Sequence, residues 1–220
     1  MTPEESHVQW LASLMQSRRS VRQFTDRTVS RDVLNSLLEA AQWAPSNHNR
    51  QPWRFLIIQN RETIQALALA IQEAWAAKLE TLSEAIRPFV QQLGGHATCF
   101  SGAPVLIVAL QKQPIKATSL LWDDPARGAQ ISGEPLSVAM AVQSMLLMAH
   151  ALGLGACMLT APLLVEPALK TALDIPPGHD INSLIAVGYP TEAPPAPRRK
   201  SLAQIAEYLD DLPERRPHEL

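Results

Sequence analysis

The first stretch of the chain repeats its apolar residues every three or four positions. Val8, Leu11, Leu14 and Met15 fall on one face, which predicts a helix over about residues 5–16. Val33, Leu34, Leu37, Leu38 and Ala41 repeat that spacing after Ser30, a helix-capping hydroxyl, and Asp32, and Ala44-Pro45 stops this second helix. The polar run APSNHNRQP then reads as a loop. WRFLII (53–58) and PVLIVAL (104–110) are continuous apolar runs of the length of buried strands. Between them, residues 61–93 carry helical patterning, predicted as two pieces divided around Pro88 and ended by Gly94-Gly95. Residues 111–133 form a long connection dotted with Pro and Gly, of a length that is usually functional in a compact domain. The stretch Leu136–Leu152 is mostly apolar, interrupted by Ser137, Gln143, Ser144 and His150; Pro135 suits its first turn and Gly153 its end. A strand over 154–159, a short helix over 165–173 and a strand over 183–187 follow. Beyond Tyr189, Pro190, Pro194, Pro195 and Pro197 enforce an extended arm, expected to reach away from the core.

Strands alternate with helices, so the pattern predicts an α/β or α+β fold around a small central sheet. The expectation is a single domain over 1–220, with 61–100 as a helical excursion and 190–220 as a C-terminal arm. The length suffices for one core, and 46% hydrophobic with 18% charged residues is an ordinary globular composition. A net charge of −2 argues against a general nucleic-acid or membrane-surface binder. The acidic start MTPEESHVQW lacks a signal-peptide pattern, and the polar residues in 136–152 suit a buried helix better than a membrane span, so a cytoplasmic protein is expected. Cys99 and Cys157 form no CxxC pair, which leaves neither a zinc site nor a disulfide framework.

Four segments carry candidate chemistry. Arg18, Arg19, Ser20 and Arg22 place three guanidinium groups and a hydroxyl within five residues, a set able to clamp a phosphate; alone, it reads more readily as a solvated basic turn. Pro45 to Trp53 offers the short polar side chains of Ser46, Asn47 and Asn49, fit either to read the edge of a planar heterocycle or to satisfy their own turn. Gly153 to Pro162 allows close backbone approach to a ligand, although a helix C-cap also explains Gly153. Arg198-Arg199-Lys200 follows the Pro-rich arm and alone is a charge run. GxSxG, P-loop and metal-ligand spacings are absent, and His150 on the apolar helix reads as a core histidine. A borrowed cofactor is then the natural source of reactivity.

Taken in order, RRSVRQF, APSNHNRQPWRF, GLGACMLTAP and the arginine of PRRKSL resemble the motifs of the FMN-dependent nitroreductase family, from about residue 14 to 208. The resemblance implies a mixed central sheet flanked by helices, in an intertwined homodimer with FMN at the subunit interface and the 136–152 helix at its centre. It places Arg18, Arg19, Ser20 and Arg199 on the FMN phosphate and ribityl, and Arg22 at N1 and O2 of the ring. Pro45, Ser46, Asn47 and Asn49 would reach the flavin from the other subunit; Gln143 would lie near it; Thr160 and the Ala161 backbone N–H would face N5.

The implied activity is a ping-pong hydride transfer from NAD(P)H to a small aromatic or electron-poor acceptor, such as a nitroaromatic, quinone or enone, with no catalytic side chain. Alternatives within the resemblance are an FMN-dependent dehydrogenase or oxidase of a biosynthetic intermediate, its pocket shaped by residues 111–133, and a non-catalytic flavin-binding sensor. The family's deiodinase branch closes a Glu, a Tyr and a Lys over substrate, and residues 72–100 hold no such set.

Overall fold

The computed structural model describes residues 3–113, 133–191 and 193–209. Helices α1 (Pro3–Ser17) and α2 (Arg31–Gln42) precede strand β1 (Trp53–Ile58). Helices α3 (Arg61–Glu80) and α4 (Arg87–Gly94) lead to β2 (Val105–Lys112). Then come α5 (Gly133–Ala151), β3 (Gly155–Leu159), α6 (Glu166–Ala172) and β4 (His179–Gly188). The expected pocket-shaping role of residues 111–133 falls largely on 114–132, outside the described residues.

The sheet order is β1-β2-β4-β3, and each neighbouring pair runs antiparallel. The parallel component of the expected mixed sheet is one bridge, Ser20 to Ala156, on the outer edge of β3. β2 explains why PVLIVAL shows no alternation: its two faces enter two different cores. Val105, Ile107 and Ala109 face a layer made by α2 and α5. Leu106, Val108 and Leu110 face Ile64, Leu67 and Ile71 of α3 and Leu169 of α6. Every one of the six is fully buried, so the strand is apolar throughout.

Local chemistry sets the helix starts. Ser30 Oγ accepts from the Val33 N–H at 3.4 Å, and Asn60 Oδ1 accepts from the Thr63 N–H at 2.7 Å. Pro88 does not divide a helix; it sits in the first turn of α4, where its missing N–H costs nothing, and the break falls before it. β4 is longer than 183–187: it begins at His179, pairs to Lys112, and crosses an irregularity between Ala109 and Leu110. Its polar start is held by side chains, with Asn182 Nδ2 donating to Gln111 Oε1 at 3.0 Å and Lys170 Nζ to Asp180 Oδ1 at 2.6 Å.

α5 buries Val138, Ala141, Val142, Met145 and Ala149 against α2 and the sheet. Its opposite face leaves Leu136 62% and Met140 40% exposed. Trp10 and Met15 of α1 and Trp43 after α2 add to the uncovered apolar surface. No helix among the described residues is long and apolar enough to cross a membrane.

Candidate FMN site

Two chain ends meet at the arginine turn. After α1, the backbone runs along the edge of β3, and the Val21 N–H donates to the Ala156 carbonyl at 3.1 Å. Gly155 permits this approach, because a Cβ there would lie 2.7 Å from Val21 Cβ. The following residues pair with the chain that leaves β4: Thr25 N–H donates to Tyr189 O at 2.8 Å and Thr191 N–H to Gln23 O at 3.2 Å. The Arg27 guanidinium stacks 3.8 Å from the centre of the Tyr189 ring. This pairing steers the arm back over the arginines. Arg18, Arg19, Ser20, Arg22 and Arg199, with Pro194, Pro195 and Pro197, line one cavity of about 320 Å³.

Among the described residues no carboxylate lines that cavity, so the field they set is cationic and its chemistry suits a phosphate. Arg19 has a second duty. Its Nη1 donates to the carbonyls of Gln16 at 2.6 Å and Arg18 at 2.8 Å, where α1 leaves carbonyls without helical partners. A guanidinium has five N–H groups, so the remainder stay available to an anion. Arg22 lies beside both cysteines. Burial pushes the Cys99 and Cys157 thiols up, opposed by the Arg22 charge.

The Ser46–Asn49 loop is built at the other end of α5. Asn47 to Asn49 form a 3-10 turn in which His48 and Asn49 have φ of 50° and 53°, a left-handed region that asparagine tolerates. Ser46 Oγ accepts from the Gln51 N–H at 3.1 Å, and Ser137 Oγ accepts from the Asn47 N–H at 3.2 Å. Arg50 forms a 2.8 Å ion pair with Glu134, whose side chain is only 5% exposed. Pro45, Asn47 and Asn49 remain exposed. The loop is thus pinned near Ser137, whereas Ser17 beside the arginines contacts His150 at 2.8 Å. These two anchors stand roughly 20 Å apart along α5, at about 1.5 Å rise per residue.

Thr160 is exposed and precedes a 3-10 turn over Ala161–Val165. As the first residue of that turn, Ala161 has a backbone N–H with no helical acceptor, and Pro162 has none to offer. Gln143 is exposed on the outer face of α5, on the side of Leu136 and Met140, and does not line the arginine cavity. Among the described residues, no His, Cys, Asp or Glu group is arranged to hold a metal ion. Sequence reasoning missed Glu134, His150 and the Gly155–Val21 contact; no local motif marks any of them.

The nitroreductase family profile matches residues 15–189. The chain belongs to the nitroreductase family. A curated relative, the NADH dehydrogenase of Thermus thermophilus, is 32% identical over 192 residues, covering 80% of this chain and 84% of that protein. Among solved structures, a BluB-like flavoprotein from Clostridium difficile superposes with a TM-score of 0.79 at 23% identity, over 90% of this chain and 98% of the other. An FMN complex of a protein described as a nitroreductase, from Desulfovibrio desulfuricans, gives a TM-score of 0.64 at 28% identity, over 93% and 98% of the two chains. The α+β fold around this sheet is therefore the fold of the family, and the arginine turn lies inside the matched segment.

Proposed function

We propose that this FMN-dependent oxidoreductase takes electrons from NAD(P)H and passes them to nitroaromatics, quinones or enones, one substrate after the other at the same site. The observation that carries the reading is the cavity in which Arg18, Arg19, Ser20, Arg22 and Arg199 converge from the two ends of the chain. Bound FMN supplies the two-electron chemistry that the side chains lack. Arg18, Arg19, Ser20 and Arg199 hold its phosphate and ribityl. Arg22 would hold the pyrimidine end of the ring, where a fixed guanidinium charge would favour electron uptake. The free N–H of Ala161, beside Thr160, is the donor for the ring edge, and neither residue gains or loses a proton.

The loop of Pro45, Ser46, Asn47 and Asn49 is pinned at the end of α5 opposite to its own arginines. It completes the site of a second copy, brought close by burying the exposed face of α5 with Gln143, Leu136 and Met140. Of the expected helical excursion over 61–100, α3 is fixed in the core by Ile64, Leu67 and Ile71, and α4 forms the lid over the acceptor. The relatives support the reading: besides the Thermus NADH dehydrogenase, a nitrobenzene nitroreductase from Ectopseudomonas oleovorans is 26% identical over 197 residues. The tests are anaerobic stopped-flow mixing and sedimentation. NADH or NADPH bleaches the flavin absorbance of the yellow dimer, and a nitroaromatic or quinone restores it. A flavin that neither nicotinamide reduces, or a monomer that turns over, refutes the proposal.

A further inference from the structure

His150 reaches the last turn of α1 from across the fold. Ser17 Oγ lies 2.7 Å from the Ser13 carbonyl and 2.8 Å from His150 Nε2. A hydroxyl has one proton, which goes to the carbonyl, so Ser17 accepts from the Nε2–H of His150. Nδ1 is then the position that gains or loses a proton. A cavity of about 180 Å³ separates this pair from the arm and adjoins the phosphate cavity, with Arg19 and Pro194 lining both.

The electrostatics of the imidazole are one-sided. Burial, then the charges of Arg18 and Arg19, hold His150 below the ordinary imidazole range. Among the described residues, the groups around it on β3 and the arm are Leu154, Gly155, Pro190, Ala193 and Pro194, none of them charged. On α5 itself the described carboxylate is Glu134, in the opposite end turn. Among the described residues, the charged groups that act on His150 are therefore the same two arginines assigned to the cofactor phosphate.

We infer that His150 positions the arginine turn through Ser17 and senses the charge of the phosphate bound there. The inference rests on the phosphate assignment above. With the cavity free of anion, Arg18 and Arg19 oppose an imidazolium. A phosphate dianion offsets their charge, so the imidazolium becomes more favourable and binding draws a proton onto His150. By linkage, falling pH strengthens FMN binding as His150 charges, and rising pH removes that gain.

Affinities of the full-length apoprotein for FMN and riboflavin, measured at about pH 8 and about pH 5.5, span the range in which an imidazole titrates. Gln at position 150 keeps a donor near the Nε2 position but no charge; Ala keeps neither. H150A weakens FMN binding at both pH values, and H150Q restores what H150A loses at the higher one. At the lower pH, wild type binds FMN about fivefold tighter relative to H150Q than at the higher pH, the size of one added charge at a partly solvated site. Protonation of the phosphate itself, near pH 6, is common to all variants and cancels in that ratio. Riboflavin binding shows no such difference. An identical pH ratio in wild type and H150Q overturns the charge role, and H150A binding as tightly as H150Q overturns the positioning role. If wild type binds riboflavin as tightly as FMN, and R199A changes neither, the phosphate assignment itself falls.

Discussion

Replacing Gly155 with alanine tests the contact that seats the arginine turn. The new methyl carbon would lie 2.7 Å from Val21 Cβ and Cγ1 and 2.9 Å from Cγ2. Carbon atoms pack at about 3.5–4.0 Å, so one partner must retreat by roughly 1 Å. Val21 cannot turn aside, because its β-branched side chain is stiff and all three atoms clash. It is 7% exposed, and its N–H is bonded to Ala156 O at 3.1 Å. Retreat stretches that bond and moves Ser20 and Arg22 with it. Overpacking of this kind costs about 1–3 kcal/mol, and the lower unfolded-state entropy of alanine returns about 0.5–1. A net loss of about 0.5–2 kcal/mol corresponds to about 1–8 °C in Tm for a chain of this size. Displaced arginines weaken FMN by about tenfold, at about 1.4 kcal/mol per decade. The assays are urea unfolding of the apoprotein and fluorescence titration with FMN. V21G destabilises alone, but the G155A/V21G double variant loses at least about 1 kcal/mol less than the sum, because all three clashing atoms are gone. Additive losses, or a G155A protein with unchanged stability and FMN affinity, refute the reasoning.

Three further outcomes follow from contacts already described. R50M removes the partner of a nearly buried carboxylate and lowers stability by about 2–3 kcal/mol, while adding E134Q recovers part of it; equal stability of R50M and wild type in urea unfolding contradicts this. Burial pushes the Asp180 carboxyl up, but hydrogen bonds from Lys170 and Gln113 more than offset that and hold it below its usual value. Its stabilising contribution is therefore complete above about pH 4 and lost as pH falls further, so D180N flattens the acid limb of the Tm–pH curve, and parallel curves exclude it. R199A weakens FMN by about ten- to a hundredfold through a lost charge-assisted bond and leaves riboflavin unchanged, and an equal loss for both ligands moves Arg199 off the phosphate.

How far the sequence speaks depends on where each residue's partners lie. β2 is legible because burial on both faces forces an unbroken apolar run. The first half of β4 is not, because His179, Asp180 and Asn182 read as a loop until Lys170, Gln113 and Gln111 are seen beside them. Pro88 marks a helix start as readily as a break, and spacing alone does not choose. The arginine turn is recognisable as a motif, but its union with Arg199 depends on the pairing of residues 23–25 with 189–191, a contact between distant parts of the chain. The separation of the Ser46–Asn49 loop from those arginines is equally invisible, since it needs the length and register of α5. His150 looks like any core histidine until Ser17 is placed against it.

The bridge between Ser20 and Ala156 bears on solubility as well as on the cofactor. β3 is the last strand of the sheet, and a bare strand edge is a template for pairing with another molecule. Here the arginine turn, to which we assign the cofactor, lies across that edge and occupies the Ala156 carbonyl. A lesion that loosens the turn therefore uncovers an aggregation-prone edge in the same step that weakens FMN, and added FMN, by holding the turn in place, protects the chain against self-association.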